Sequence, residues 1–168
     1  MTEILKNELF VGDYQSAQDT DFLKQQGIRT IINVSTEPHS PTTLTMHSDL
    51  GIDSHYWMCS DDYGSNMSNY FRRLCRMLRA QELKPPLLIH CIMGISRSAA
   101  LAIAYVICVQ HIPVRDALIV VRKQRPQIEP NSGFIRQLIK WSGGDLDSND
   151  VTGVGKKSSA VPQNSVQE

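Results

Sequence analysis

The chain has 168 residues, 41% of them hydrophobic, with 17 acidic and 17 basic side chains and so no formal net charge. That is enough apolar material for one domain with a real core, and the balanced charge gives no support to nucleic-acid binding. No run approaches a membrane span, the opening residues are too polar for a signal peptide, and the four cysteines (Cys59, Cys75, Cys91, Cys108) lack metal-ligand spacing, so a cytosolic or nuclear protein with its thiols in a reducing compartment is expected.

In chain order, residues 4–11 read as an edge strand ending at Gly12, and 16–26 as a helix with Ala17, Phe22 and Leu23 at helical intervals, stopped by Gly27. Residues 28–34 are β-branched and apolar enough for a central strand. The stretch 37–49, rich in Pro, Ser, Thr and His, reads as a surface loop, which makes His39 and His47 exposed loop histidines rather than metal ligands. Residues 52–59 form another expected strand, delivering Ser60, Asp61 and Asp62 to a flexible loop. Ser68 is placed to N-cap a helix through Arg79 with Phe71, Leu74, Cys75 and Leu78 inward and Arg72, Arg76 and Arg79 on the opposite, solvated face. That basic stripe could also steer acidic substrates.

Pro85 and Pro86 end this segment, and the stretch 86–108 follows. It starts with an apolar run of buried-strand length at 87–89, passes through a loop holding Cys91, Gly94, Ser96, Arg97 and Ser98, and enters an almost wholly apolar helix over 98–110. Strand, loop and helix in that order make an anion site, because loop amides and the first helical turn have no intrahelical partners and the helix dipole adds positive potential. A cysteine held there is ionised and nucleophilic. Arg97, six positions on, can meet two phosphoryl oxygens with its planar fork. Cys108 reads as core rather than a redox partner. A helix over 114–125, with Val114, Ala117, Leu118 and Val121 on one face, a loop to Asn131 and a last helix over 132–141 complete a domain at 1–142. Residues 143–168 are too poor in apolar side chains to fold and read as a disordered tail. The fold class is therefore α/β: a central, mostly parallel twisted sheet flanked by helices.

The run His90-Cys91-Ile92-Met93-Gly94-Ile95-Ser96-Arg97-Ser98 resembles the signature of the cysteine-dependent protein phosphatases, and Ser-Arg-Ser-Ala-Ala followed by Ala-Tyr resembles their dual-specificity branch. The likeness extends from about Leu9 to Trp141 and includes Gly27-Ile28, Asn33-Val34-Ser35, Tyr70-Phe71, Arg125-Pro126, Pro130-Asn131 and Gly133-Phe134. No lysine lies between Cys91 and Arg97, unlike the inositol-lipid phosphatases of the same superfamily. The resemblance implies a small, atypical dual-specificity phosphatase with a shallow cleft admitting phosphotyrosine as well as phosphoserine and phosphothreonine. It implies Cys91 as nucleophile and Arg97 with the loop amides of Ile92, Met93, Gly94, Ile95 and Ser96 as the phosphate cradle.

Phosphoryl transfer also needs an acid on the leaving-group side. In the family this is an aspartate at a strand end, nine positions before an aromatic pair; Asp61 with Tyr70-Phe71 fits that count, and Asp62 is displaced by one. Ser98 would hydrogen-bond the departing sulfur and His90 would orient the loop and tune the thiol, while Asn131 reads as a helix cap or loop tether. No metal or other cofactor is needed, because amides and Arg97 supply the positive field. The expected partners are phosphorylated proteins, with no nucleic acid and no membrane, and the protein is expected as a monomer or weak dimer with no regulatory segment before residue 9. The alternatives are the same chemistry on a lipid or RNA 5′ end, or a phosphopeptide-binding module with little turnover.

Overall fold

A computed structural model describes residues 1–143. The elements run β1 (Thr2–Leu5), β2 (Leu9–Gly12), a 3-10 turn (Ser16–Gln18), α1 (Thr20–Gln25), β3 (Thr30–Asn33), α2 (Pro41–Asp49), β4 (Asp53–Tyr56), α3 (Ser68–Arg79), β5 (Leu87–His90), α4 (Arg97–Gln110), α5 (Val114–Gln124) and α6 (Ser132–Trp141). The five strands are ordered β1-β2-β5-β3-β4, with only the β1–β2 pair antiparallel. This is the expected α/β architecture. Beyond Gly143 the expected tail lies outside the described residues.

Alternation along the strands divides the core between the two sheet faces. Leu9, Val11, Ile32, Leu87 and Ile89 pack with α3, α4, α5 and α6, while Phe10, Ile31 and Leu88 pack with Leu23 of α1 and Ile52. α4 is buried all round its first ten residues, which explains its apolar composition on every face. β5 is the middle strand, flanked by β2 and β3, so its carboxyl end opens at the centre of the sheet where α/β folds place their ligands. Cys91 is the next residue.

Four local expectations change. Residues 4–11 do not form one strand: Asn7, at a φ of 55°, turns the chain so that Thr2 pairs with Val11 in a hairpin. The 16–26 helix breaks at Asp19, whose side chain accepts from the Phe22 amide and caps a shorter α1. The stretch 37–49 is not a loop, because Ser40 caps α2 by accepting from the Thr43 amide and Pro41 occupies the first helical position. That helix buries His47 and seats His39 beside it, at 1% and 9% exposure, so neither is an exposed loop histidine. Ser68 opens α3 without capping it; the Gln137 side-chain carbonyl on α6 accepts from the Met67 and Ser68 amides instead.

The cysteines also change. Cys75 on α3 and Cys108 on α4 are joined as a disulfide, with Cα atoms 5.7 Å apart, so Cys108 does have a redox partner. Their 33-residue separation gave no hint, since the pairing follows from α3 packing alongside α4. Cys59 and Cys91 remain free and buried.

Candidate active site

The loop from Cys91 to Ser96 owes its shape to contacts on its outer side. The Ile92 carbonyl accepts from the Tyr14 amide, the Gly94 carbonyl from Arg125 Nε at 2.9 Å, and the Ile95 carbonyl from the Glu129 amide at 2.9 Å. His90 Nδ1 donates to the Cys91 carbonyl at 3.2 Å, which leaves Nε2 as its bare nitrogen. In a trans peptide the N–H points opposite to the carbonyl it shares a plane with. Carbonyls tied outward therefore aim the following amides, those of Ile92, Met93, Ile95 and Ser96, toward the loop centre, a nest for an anion. Gly94 has a φ of +69°, and a Cβ there would meet the Gly12 carbonyl oxygen at 2.6 Å, so only glycine fits.

The Cys91 sulfur sits at the floor of this nest, 1% exposed. The Gly94 amide donates to it at 3.2 Å and the Ser98 hydroxyl lies 3.3 Å away. Burial alone would push the thiol up, but the Ser98 hydroxyl, the Ser98 and Gly94 amides and the Arg97 charge outweigh it and hold Cys91 below the ordinary cysteine range. The contrast is Cys59, where burial wins and the thiol is pushed up to about 11.

Arg97, the first residue of α4, is 7% exposed. Its Nη1 donates to the Cys59 carbonyl at 3.1 Å and its Nε lies 3.5 Å from Asp61 Oδ2 without a hydrogen-bond partner among the described residues. The guanidinium is thus buried against the segment that carries Cys59 and Asp61 rather than extended into solvent.

The structure separates the two candidate acids. Asp61 Oδ1 accepts from the Ser96 hydroxyl at 2.6 Å and from Asn131 Nδ2 at 2.8 Å, which fixes the carboxyl at the mouth of the nest. Asp62 turns away, its carboxyl accepting from the Gly64 amide and the Ser65 hydroxyl in a local turn. Before Asp61, Trp57 is buried in the core and stacks on Tyr70 at 5.6 Å, and the Tyr70 hydroxyl donates to the Met58 carbonyl. Met58, Tyr63 and Met93 are among the exposed large apolar side chains.

Sequence reasoning named Cys91, Arg97, Ser98, His90 and Asp61, which the structure places side by side: His90 on the Cys91 carbonyl, Ser98 beside the Cys91 sulfur, and Asp61 against Arg97. It missed Arg125, buried under the loop and reaching both Gly94 and Thr2. It also missed the second role of Ser96, whose oxygen accepts from the Asn131 amide while its hydrogen goes to Asp61. Asn131 is the expected cap, accepting from the Phe134 amide at 3.0 Å, and its remaining amide group is what reaches Asp61.

Behind His90 lies a second feature. His39 stacks on His90 at 4.8 Å and 8°, and His47 meets His39 edge-on at 5.1 Å. His47 Nε2 donates to the Ala17 carbonyl and its Nδ1 accepts from the Ser54 hydroxyl. Burial, with the neighbouring histidines adding to it, pushes His39 down to about 4 and His90 down to about 3. All three rings are therefore neutral packing groups at neutral pH, and no set of three potential ligands converges on a metal position among the described residues.

Residues 9–143 match the family model described as dual specificity phosphatase, catalytic domain. Human dual specificity protein phosphatase 13B is 32% identical over 133 residues, covering 77% of this chain and 67% of that protein. The solved structure of human DUSP28 superposes with a TM-score of 0.74 at 26% identity, covering 85% of this chain and 96% of that one. Human tyrosine phosphatase-like serine/threonine/tyrosine-interacting protein gives 0.71 at 28%, covering 85% and 95%. Other curated relatives are much longer, and the chain spans about a third of the length of two of them.

Proposed function

The chain belongs to the dual specificity phosphatase family, and we propose on that premise that it hydrolyses phosphotyrosine, phosphoserine and phosphothreonine in proteins through a cysteinyl-phosphate intermediate. The observation that carries this reading is the Cys91 sulfur, held below the ordinary cysteine range by the Ser98 hydroxyl and the Gly94 amide at the floor of a loop whose carbonyls are tied outward.

In the first step Cys91 Sγ attacks phosphorus in line and the P–O bond to the substrate breaks. The equatorial oxygens, which carry the charge in a loose transition state, meet the inward amides and the Arg97 fork, whose unpartnered Nε is a donor left for one of them. Asp61 gives its proton to the departing oxygen. Ser96 and Asn131 are positioning residues that hold the Asp61 carboxyl over the nest. In the second step Asp61 takes a proton from the attacking water, the P–S bond breaks, and the Ser98 hydroxyl donates to the sulfur as it leaves with the electron pair.

The lipid, RNA and pure binding alternatives draw less support. The loop offers Ile92, Ile95 and a 66%-exposed Met93 where a lipid or RNA substrate calls for added cations, and a binding module needs no depressed thiol. The test compares turnover of a phosphotyrosine peptide, an inositol phospholipid and a 5′-triphosphate RNA by wild type and Cys91→Ser. Peptide turnover that vanishes in Cys91→Ser supports the reading. Wild-type rates in that variant, or faster turnover of lipid or RNA, would overturn it.

A further inference from the structure

α3 and α6 carry six cations, Arg72, Arg73, Arg76, Arg79, Arg136 and Lys140, and no carboxylate, in a chain with no formal net charge. Two have aromatic partners: Arg73 lies 4.8 Å from the Trp57 ring centre and Arg136 5.7 Å from that of Tyr63. The other four, Arg72, Arg76, Arg79 and Lys140, make no salt bridge among the described residues. They line one groove made of two depressions that share Arg72 and Trp141. It begins at Gly64 and Asn66, in the loop that presents Asp61, passes Lys140 and ends between Arg76 and Arg79.

Arg72 with Arg76, and Arg76 with Arg79, are like charges at helix spacings of four and three, and each pair repels with no anion present. The carboxyl ends of α3 and α6 offset part of that cost for Arg76, Arg79 and Lys140. Arg72, a turn inside α3, gains nothing from the dipole. Charge on the two helices is unbalanced, and the near end of the groove, Gly64 and Asn66, belongs to the loop that carries Asp61, so an acidic segment attached to the substrate has this face beside it.

We propose that the groove binds an acidic segment of the phosphoprotein substrate, three or four Asp or Glu residues lying to one side of the phosphorylated residue. Arg72 and Arg79 are about 10 Å apart along α3 at ~1.5 Å per residue, which about three residues of extended peptide span. This specificity rests on the phosphatase reading of the Cys91 site. The chain's own Asp145, Asp147 and Asp150, which follow Trp141 in sequence, have the same chemistry and are the competing occupant.

The test measures KM and kcat of the full chain on phosphotyrosine peptides with a four-residue acidic run before or after the phosphotyrosine, and on matched Asn/Gln peptides. One acidic peptide should show a KM about tenfold below its neutral match, with the advantage shrinking as salt rises. R72Q/R76Q/R79Q should erase that advantage while p-nitrophenyl phosphate turnover stays at wild-type level. K140Q, a single exposed change on the other helix, should reduce it on its own. Equal KM for acidic and neutral peptides, or an advantage that survives both variants, overturns the proposal. An advantage that appears only after D145N/D147N/D150N assigns the groove to the chain's own acidic run and likewise overturns it. Absent turnover of p-nitrophenyl phosphate in wild type would instead refute the phosphatase reading.

Discussion

Ser98→Ala is the smallest change that separates a thiolate held by its surroundings from a cysteine that is merely buried. The residue has no exposed surface and the substitution removes one hydroxyl from it. That oxygen lies 3.3 Å from the Cys91 sulfur and, once burial has pushed the thiol up, is the largest of the contributions that bring it back down. A hydrogen bond to a charged group is worth about 1.5–3 kcal/mol and a pKa unit about 1.4 kcal/mol, so the variant thiol should titrate about 1–2 units above wild type. The assay is the rate of iodoacetamide alkylation against pH, with the modified residue identified by peptide mass. Cys59, pushed up to about 11, and the paired Cys75 and Cys108 leave Cys91 as the thiol that reacts in the neutral range. The acid limb of kcat/KM should move with the alkylation midpoint. An unchanged midpoint, or one that falls, would refute the assignment of Ser98 as the donor that holds the thiolate.

Asp61→Ala should lower kcat on phosphotyrosine peptide by about 10²–10⁴, and least on p-nitrophenyl phosphate, whose leaving group needs little protonation. Asn131→Ala should show the same leaving-group dependence more weakly, and a uniform loss on both substrates would count against its hold on Asp61. The stacked rings contribute to the loss of stability in acid. His39 and His90 titrate below their unfolded value, so the unfolded chain binds more protons and stability falls as pH drops from about 6.5. For His39, at about 4 in the fold, the loss by pH 4 is roughly 3 kcal/mol. Urea midpoints at pH 7 and pH 4.5 should show this fall, and it should be smaller in His39→Gln. The Cys75–Cys108 link predicts two free thiols in the unreduced, unfolded protein and four after reduction. Closing a 33-residue separation stabilises by about 4 kcal/mol on chain entropy, which reduction should remove as a lower urea midpoint.

The parts of the fold legible in the sequence were those with strong local signals. β5, its loop and α4 follow from an apolar run, a glycine and an apolar helix in succession, and the Asn131 cap follows from residue type. What escaped depended on contacts distant in the chain. The α2 segment is polar, and its helix rests on the Ser40 cap and on His47 fitting between Ala17 and Ser54, which no periodicity reveals. Arg125 supports Gly94 across 31 positions and Gln137 caps α3 across 70, and each looks like an ordinary polar residue in its own helix neighbourhood. Asp61 was distinguishable from Asp62 only by spacing until Ser96 and Asn131 were seen to converge on it.

The central claim is that the Cys91 sulfur takes the phosphoryl group. Its most direct measurement is peptide mass analysis of Asp61→Ala, quenched in acid within milliseconds of mixing with p-nitrophenyl phosphate. Without the base for its hydrolysis, the intermediate should accumulate as phosphate on the peptide that contains Cys91, in near-stoichiometric amount. A quenched protein turning over with unmodified Cys91, or with phosphate on another residue, would contradict the account.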